Sequence, residues 1–189
     1  SLGANNLTDN NTVAVAAGRV DSGCQFVSAN TEFLSIADNA ALSNGDNDFT
    51  FALWVNLDTV VQDTGVLGKW GAAGSREYLL ETTALRFRFF VSGDGTASTN
   101  VQATNLGVLS TGTWYFVVVR HDATNDRIEI SGNGGAFNTA AHTTGAFDGT
   151  SEFRVGNNFL VAPDLITLNG RVDEVGFWKR LLPDAEIAD

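Results

Sequence analysis

An all-β fold, two antiparallel sheets packed as a sandwich with one short C-terminal helix, is what this sequence predicts. Three observations predict it. Apolar residues recur at every second position in several stretches, which is the period of a strand with one face in a core. Turn formers punctuate those stretches, with 20 Gly but only 2 Pro and no Met in 189 residues. Helix signals are confined to one segment near the end. With 43% hydrophobic residues, a chain of this length can bury one substantial core and is short for two, so a single domain spanning residues 1–189 is expected.

In chain order, CQFVS and EFLSI read as short strands. The stretch from Asp38 to Asp48, DNAALSNGDND, reads as a solvated polar turn; it lacks the ligand order and final Glu of an EF-hand. DFTFALWVNL sets Phe49, Phe51, Leu53, Val55 and Leu57 on one face, alternating with Thr50, Ala52, Trp54 and Asn56. GVLGKW and REYLLET follow as further strands. ALRFRFFVS then turns Leu85, Phe87, Phe89 and Val91 inward and sets Arg86, Arg88 and Phe90 on the other side. After TNVQAT, the run TWYFVVVRHD is apolar on both faces, as a central strand covered on both sides would be. DATND and the strand in DRIEISGNGG complete a hairpin with it, Ile128 and Ile130 pointing inward. EFRVG, an irregular connection from Asn157 to Gly170, and VDEVGFW follow. PDAEIA, with Pro183 suited to a first helical turn, is the helix.

The charge balance excludes some partners. With 22 acidic and 11 basic side chains the net charge is -11, which repels phosphate backbones and anionic lipid, so no nucleic acid is expected. No apolar run reaches the roughly 20 residues of a spanning helix, so no membrane insertion is expected either. SLGANNLTDNN lacks the basic and apolar regions of a signal peptide, consistent with a signal already removed or a chain excised from a longer one. The one cysteine, Cys24, cannot form an internal disulfide and reads as a buried thiol.

Taken together, GRVDSGCQF, EFLSIADNAALS, FTFALWV, GVLGKW, LRFRFFVSGDGT, TGTWYFVVVRHDATNDRIEI and LNGRVDEVGFWKRLLPDAEI resemble the concanavalin A-like, laminin G-like jelly-roll domains, from about Gly18 to the end. The resemblance implies two antiparallel sheets of six or seven strands, one curved, with ligand met on the concave face or its rim. It also implies an extracellular or cell-surface setting, and glycans or protein surfaces as partners. A monomeric unit within an exported multidomain chain is expected. Two places depart from the pattern: FVSANTE, Phe26 to Glu32, replaces an acid-rich segment, and Trp114-Tyr115-Phe116-Val117 replaces W-x-H-V.

Catalytic patterns are missing. No Glu has an Asp two residues on, as in the strand-borne dyads of laminarinase-type hydrolases, and adjacent Asp173 and Glu174 point to opposite faces of a strand. The Q-I-H and Y-F-K-x-G motifs of alginate-lyase jelly rolls are absent too. His121 and His142 read as surface or hydrogen-bonded histidines. Calcium suits loops rich in Asp, Asn and Gly, and the resemblance implies Asp173 as a ligand, with Asp9, Asn10, Asp21 and Asn30 nearby. Hydrogen bonds from backbone N–H groups would serve the same carboxylate without an ion. Sugars need aromatic faces and planar polar groups; the candidates are Arg86, Arg88, Trp70, Arg76, Tyr78, Asn157 and Asn158. Trp54, Trp114 and Trp178 are assigned to core packing. The reading is a non-catalytic carbohydrate-binding module, against a structural or adhesive protein-interaction domain of a surface, phage or viral fibre protein, with a hydrolase or lyase as a third alternative.

Overall fold

The structure is a computed structural model that describes residues 6–83, 85–157 and 166–187. Within these residues the strands are β1 (Thr8–Asn10), β2 (Ala14–Ala17), β3 (Ser22–Phe26), β4 (Phe33–Ile36), β5 (Phe49–Leu57), β6 (Thr64–Lys69) and β7 (Tyr78–Thr82). They continue as β8 (Phe87–Val91), β9 (Thr99–Gln102), β10 (Trp114–Asp122), β11 (Arg127–Gly132), β12 (Asn138–Ala141), β13 (Phe153–Val155) and β14 (Gly170–Trp178), ahead of helix α1 (Asp184–Ile187). Two seven-stranded antiparallel sheets result: a front sheet ordered β1-β4-β13-β6-β7-β8-β9 and a back sheet ordered β12-β11-β10-β5-β14-β3-β2. No described helix is long and apolar enough to cross a membrane.

Alternation decides which side chains meet between the sheets. In the front sheet, Leu34, Val155, Leu67, Leu80, Phe89 and Val101 stand opposite one another across six strands and face inward. The back sheet answers with Phe49, Phe51, Leu53, Val55 and Leu57, all fully buried as the period-two pattern predicts. The centre is aromatic: Phe51 stacks on Phe177 at 4.3 Å and lies 5.0 Å from Tyr78 between ring centroids. At one flank β11 and β12 close down on β8 and β9.

Two expectations need correcting. Trp54, Trp114 and Trp178 are half-buried on the outer face of the back sheet, outside the core; Trp54 tilts against Phe116 at 5.1 Å. Their parity opposes that of the core phenylalanines, so size alone misassigned them. Second, residues 38–48 are packed against the sandwich. Lys69, wholly buried, donates to Asp38 Oδ1 at 2.7 Å, to the Ser43 hydroxyl and to the Gly149 carbonyl, and pairs with buried Glu77 at 2.8 Å. Lys179 Nζ donates to the carbonyls of Ala40 and Ser43, and the Tyr78 hydroxyl to that of Leu42. A buried ammonium demands such acceptors, and this polar segment supplies them. Burial pushes the Glu77 carboxyl up, opposed by Lys69, while the Lys69 hydrogen bond draws Asp38 down.

Of the two forms expected for the histidines, surface or hydrogen-bonded, both take the hydrogen-bonded one, and both are buried. His121 stacks on Phe49 at 5.4 Å and donates from Nδ1 to the Asn47 carbonyl; His142 lies 5.6 Å from His121 and donates from Nε2 to the Gly145 carbonyl. Burial lowers the His142 pKa below its ordinary 6.5, against the Gly145 hydrogen bond and with His121 adding to the shift.

Two outcomes follow. Lys69→Ala strands Glu77 without its partner and is expected to cost about 3–5 kcal/mol, read as a lower urea midpoint. Replacing both, Lys69→Met with Glu77→Gln, is expected to recover most of that. A histidine with a lowered folded pKa stabilises fully above its ordinary value; as pH falls below about 6.5 the unfolded chain takes up a proton the folded chain refuses. The melting temperature is therefore expected to fall between pH 6.5 and 5, and the fall to shrink in His142→Gln.

Candidate carbohydrate-binding face

The outward row of the front sheet passes through every strand: Thr8, Ser35, Arg154, Gly68, Leu79, Phe90 and Asn100 stand side by side in register. A parallel row carries Gly65, Glu81, Arg88 and Gln102. Gly68 is required here because β7 passes too close for a side chain; an added Cβ would sit 2.4 Å from the Tyr78 carbonyl oxygen. Leu79, opposite Gly68, packs with Trp70 and Phe90 in a small apolar cluster separate from the core. Leu79 is only 3% and Trp70 9% exposed although they lie on an outer face.

Two arginines frame these rings. Arg88 stands 4.7 Å over Phe90, and Arg76 stands 5.6 Å over Trp70, whose ring is 5.7 Å from Phe90. Each arrangement is a cation held over an aromatic face. Arg88 is fixed by Glu81, which its Nε meets at 2.9 Å, and by Asp63, which its Nη2 meets at 2.9 Å. Burial pushes the Glu81 carboxyl up while Arg88 pulls it back and Asp63 adds to the rise. Arg76 donates from Nη1 to the Thr96 carbonyl at 2.8 Å, and its buried Nε has no protein acceptor. Trp70, Arg76, Arg88 and Phe90 thus form one patch of cations and π-faces.

The other predicted sugar contacts do not join it. Arg86 lies further along the same face, bound to the Thr104 carbonyl at 3.1 Å. Tyr78 faces the interior, fully buried, because it alternates with outward Leu79. Asn157 is also fully buried, accepts from Arg154 and bridges to Thr167. Asn158 lies outside the described residues. Phe90, Leu79 and Gly68 were not singled out in the sequence; Phe90 shares the parity of Arg86 and Arg88, whereas Gly68 needs the pairing of β6 with β7 and β13 to be placed.

Asp173 is on the outer face of the back sheet, opposite Trp54, whereas strict alternation groups it with Val175 and Phe177. A bulge between Asp173 and Gly176 shifts the register, Glu174 takes φ 50°, and Phe177 points inward while Asp173 does not. Asp173 Oδ2 accepts the backbone N–H groups of Arg19 and Val20, each at 2.8 Å, and Oδ1 that of Glu174 at 2.9 Å. The turn after β2 closes on it so tightly that a Cβ at Gly18 would lie 2.4 Å from Oδ2. Glu174 is exposed.

The other proposed calcium ligands are engaged locally. Asp9 accepts the Val13 N–H, Asn10 donates to Thr8 and Ser35, and Asn30 donates to Glu32, which also takes the Val27 N–H at 2.7 Å. Asp21 holds the β2–β3 turn at φ 50°. No three His, Cys, Asp or Glu side chains among the described residues converge as ion ligands would. Three N–H donors take three of the roughly four lone-pair positions of the Asp173 carboxylate, which is therefore held without an ion. Cys24 is half-buried and its pKa is raised by burial, then by Asp173 and Asp9, so it is a poor thiolate.

The sequence family described as the concanavalin A-like lectin/glucanases superfamily matches residues 28–188. The chain belongs to that superfamily. Solved structures share the superfamily fold at low identity. The binding domain of Paraclostridial Mosquitocidal Protein 1 has 12% identity and a TM-score of 0.74 over 96% of this chain and 46% of its own. Domain 4 of AbnA, a GH43 extracellular arabinanase from Geobacillus stearothermophilus in complex with arabinotriose, has 15% identity and a TM-score of 0.71 over 96% of this chain and 85% of its own. A botulinum neurotoxin type C structure, whose cell entry depends on two ganglioside molecules, has 11% identity and a TM-score of 0.72 over 96% and 44%. The chain thus spans under half of these two toxin chains. No curated protein sequence matches it.

Asp173→Ala removes the acceptor shared by three part-buried N–H groups, loosens the turn after β2 and is expected to lower the urea midpoint. Chelation with EDTA is expected to leave the melting temperature unchanged, and a drop of several degrees would place an ion at Asp173.

Proposed function

We propose that this superfamily member is a non-catalytic carbohydrate-binding module of an exported, larger protein, holding glycan on the outer face of the front sheet. One observation carries the reading: Trp70 and Phe90 lie together on this face with Arg76 and Arg88 over them. Sugar C–H faces pack on such rings, and hydroxyls pair with planar guanidinium and amide groups, here joined by exposed Asn100. The arabinanase domain binds arabinotriose, which supports a saccharide as ligand.

Among the described residues Glu152 on this face is bound to Arg154, while Glu81 and Asp63 are both bound to one guanidinium. Their role is to fix Arg88. A hydrolase needs one carboxyl free to protonate the leaving oxygen, and the buried Glu81 is engaged. The adhesive reading has its own support, since the binding domain of botulinum neurotoxin DC is known in complex with rat synaptotagmin II.

An oligosaccharide array separates the three. Binding to at least one glycan is expected, weakened tenfold or more, about 1.4 kcal/mol, in Phe90→Ala and in Arg76→Ala. Silence across the array, with capture of a defined cell-surface protein, would replace the reading by adhesion. Release of reducing ends that Glu81→Gln abolishes would make the protein an enzyme.

A further inference from the structure

The opposite face of the molecule carries a second pocket, of about 620 Å3, on the β10–β11–β12 end of the back sheet. Its floor follows from register: Arg120, Glu129 and Thr139 stand side by side on β10, β11 and β12, all on the outward face. The turn between β11 and β12, with Phe137, forms one wall and α1, with Asp184, the other.

Arg120 is unusual for an outward arginine. Its side chain is 9% exposed and that of Glu129 5%. The guanidinium lies 3.9 Å over the Phe137 ring, donates to the Leu182 carbonyl and to Asp184 Oδ1 at 2.6 Å, and meets Glu129 Oε2 at 3.4 Å. Yet its buried Nε–H has no protein acceptor. A buried donor of this kind costs free energy unless something satisfies it.

The electrostatics decide what that could be. Arg127 Nε contacts Glu129 Oε1 at 3.1 Å and Asp122 Oδ2 at 3.0 Å. Both arginines of the pocket are therefore neutralised by Glu129, Asp122 and Asp184. With a chain of net charge -11 around it, the pocket has no attraction for a phosphate, sulfate or uronate. What remains is a planar donor and acceptor pair, the hydroxyl of exposed Thr139, and a half-exposed Phe137 ring with Arg120 over one face. Vicinal hydroxyls fit a planar guanidinium–carboxylate pair, and an apolar sugar face fits the ring.

We propose that this pocket is a binding subsite for a neutral saccharide, distinct from the front-sheet patch, so that the module engages glycan on two opposite faces. The ligand class rests on the carbohydrate reading above; the site does not.

Arginine Nε–Hε resonances of the isotopically labelled full chain read the two sites separately, with arabinotriose, cellotriose, xylotriose and the charged trigalacturonate as probes. The Arg120 resonance is expected to shift saturably with at least one of them, and Phe137→Ala to weaken that response at least tenfold while the Arg76 response is kept. Thr139→Arg, at an exposed position, is expected to block the pocket with the melting temperature unchanged, guarding against a Phe137→Ala variant that fails to fold. An Arg76 response without any from Arg120 overturns this inference and leaves the front-sheet reading standing. An Arg120 response alone does the reverse. Silence from both up to millimolar sugar removes both, and an Arg120 response confined to trigalacturonate overturns the neutral-ligand assignment.

Discussion

A single ammonium group organises the end of the sandwich on which the front-sheet patch is built. Lys69 reaches no solvent, and its contacts come from three places in the chain: Asp38 and Ser43 in the segment before β5, Glu77 ahead of β7, and Gly149 before β13. Removing a charge from water is costly, and only complete coordination offsets it. The loops therefore have one low-energy arrangement around Lys69. The next residue is Trp70, and Arg76 lies one residue before Glu77, so the ring and guanidinium inherit the rigidity of that network.

The two outer faces apply the same chemistry with different partners. On the front, Arg88 is held by Glu81 and Asp63 and faces Phe90; on the back, Arg120 is held by Glu129 and Asp184 and faces Phe137. In each case acids fix the cation and leave the local charge near balance. A strongly acidic protein can thus present arginines without an electropositive surface, which suits uncharged polar ligands better than anions.

Much of the fold is legible in the sequence because alternation is a local property. The strands around Phe49–Leu57, Phe87–Val91 and the Trp114–Gly132 hairpin declare themselves, as does the helix after Pro183. β1, β2 and β12 do not; short and made largely of Thr, Asn and Ala, they are strands only because a neighbour offers free edge groups. Residues 38–48 look solvated because nothing local reveals that a lysine distant in sequence needs their carbonyls. At the front-sheet patch, Trp70, Arg76 and Arg88 were visible as residue types that suit sugars. Tyr78 and Asn157 were not separable from them, since burial at a strand end depends on which face the sheet turns inward. Asp173 shows the limit of parity: one bulge reverses it, and no residue type announces a bulge in advance.

The place of β14 governs how the chain can reach this state. It lies between β3 and β5, and its Asp173 grips the turn after β2 across 154 residues of sequence. During vectorial synthesis the back sheet stays split in two until residues 170–178 have emerged. Non-local closure of this kind slows folding and exposes unpaired edges meanwhile. The facing edges of β5 and β3 wait unpaired for the one strand that joins them.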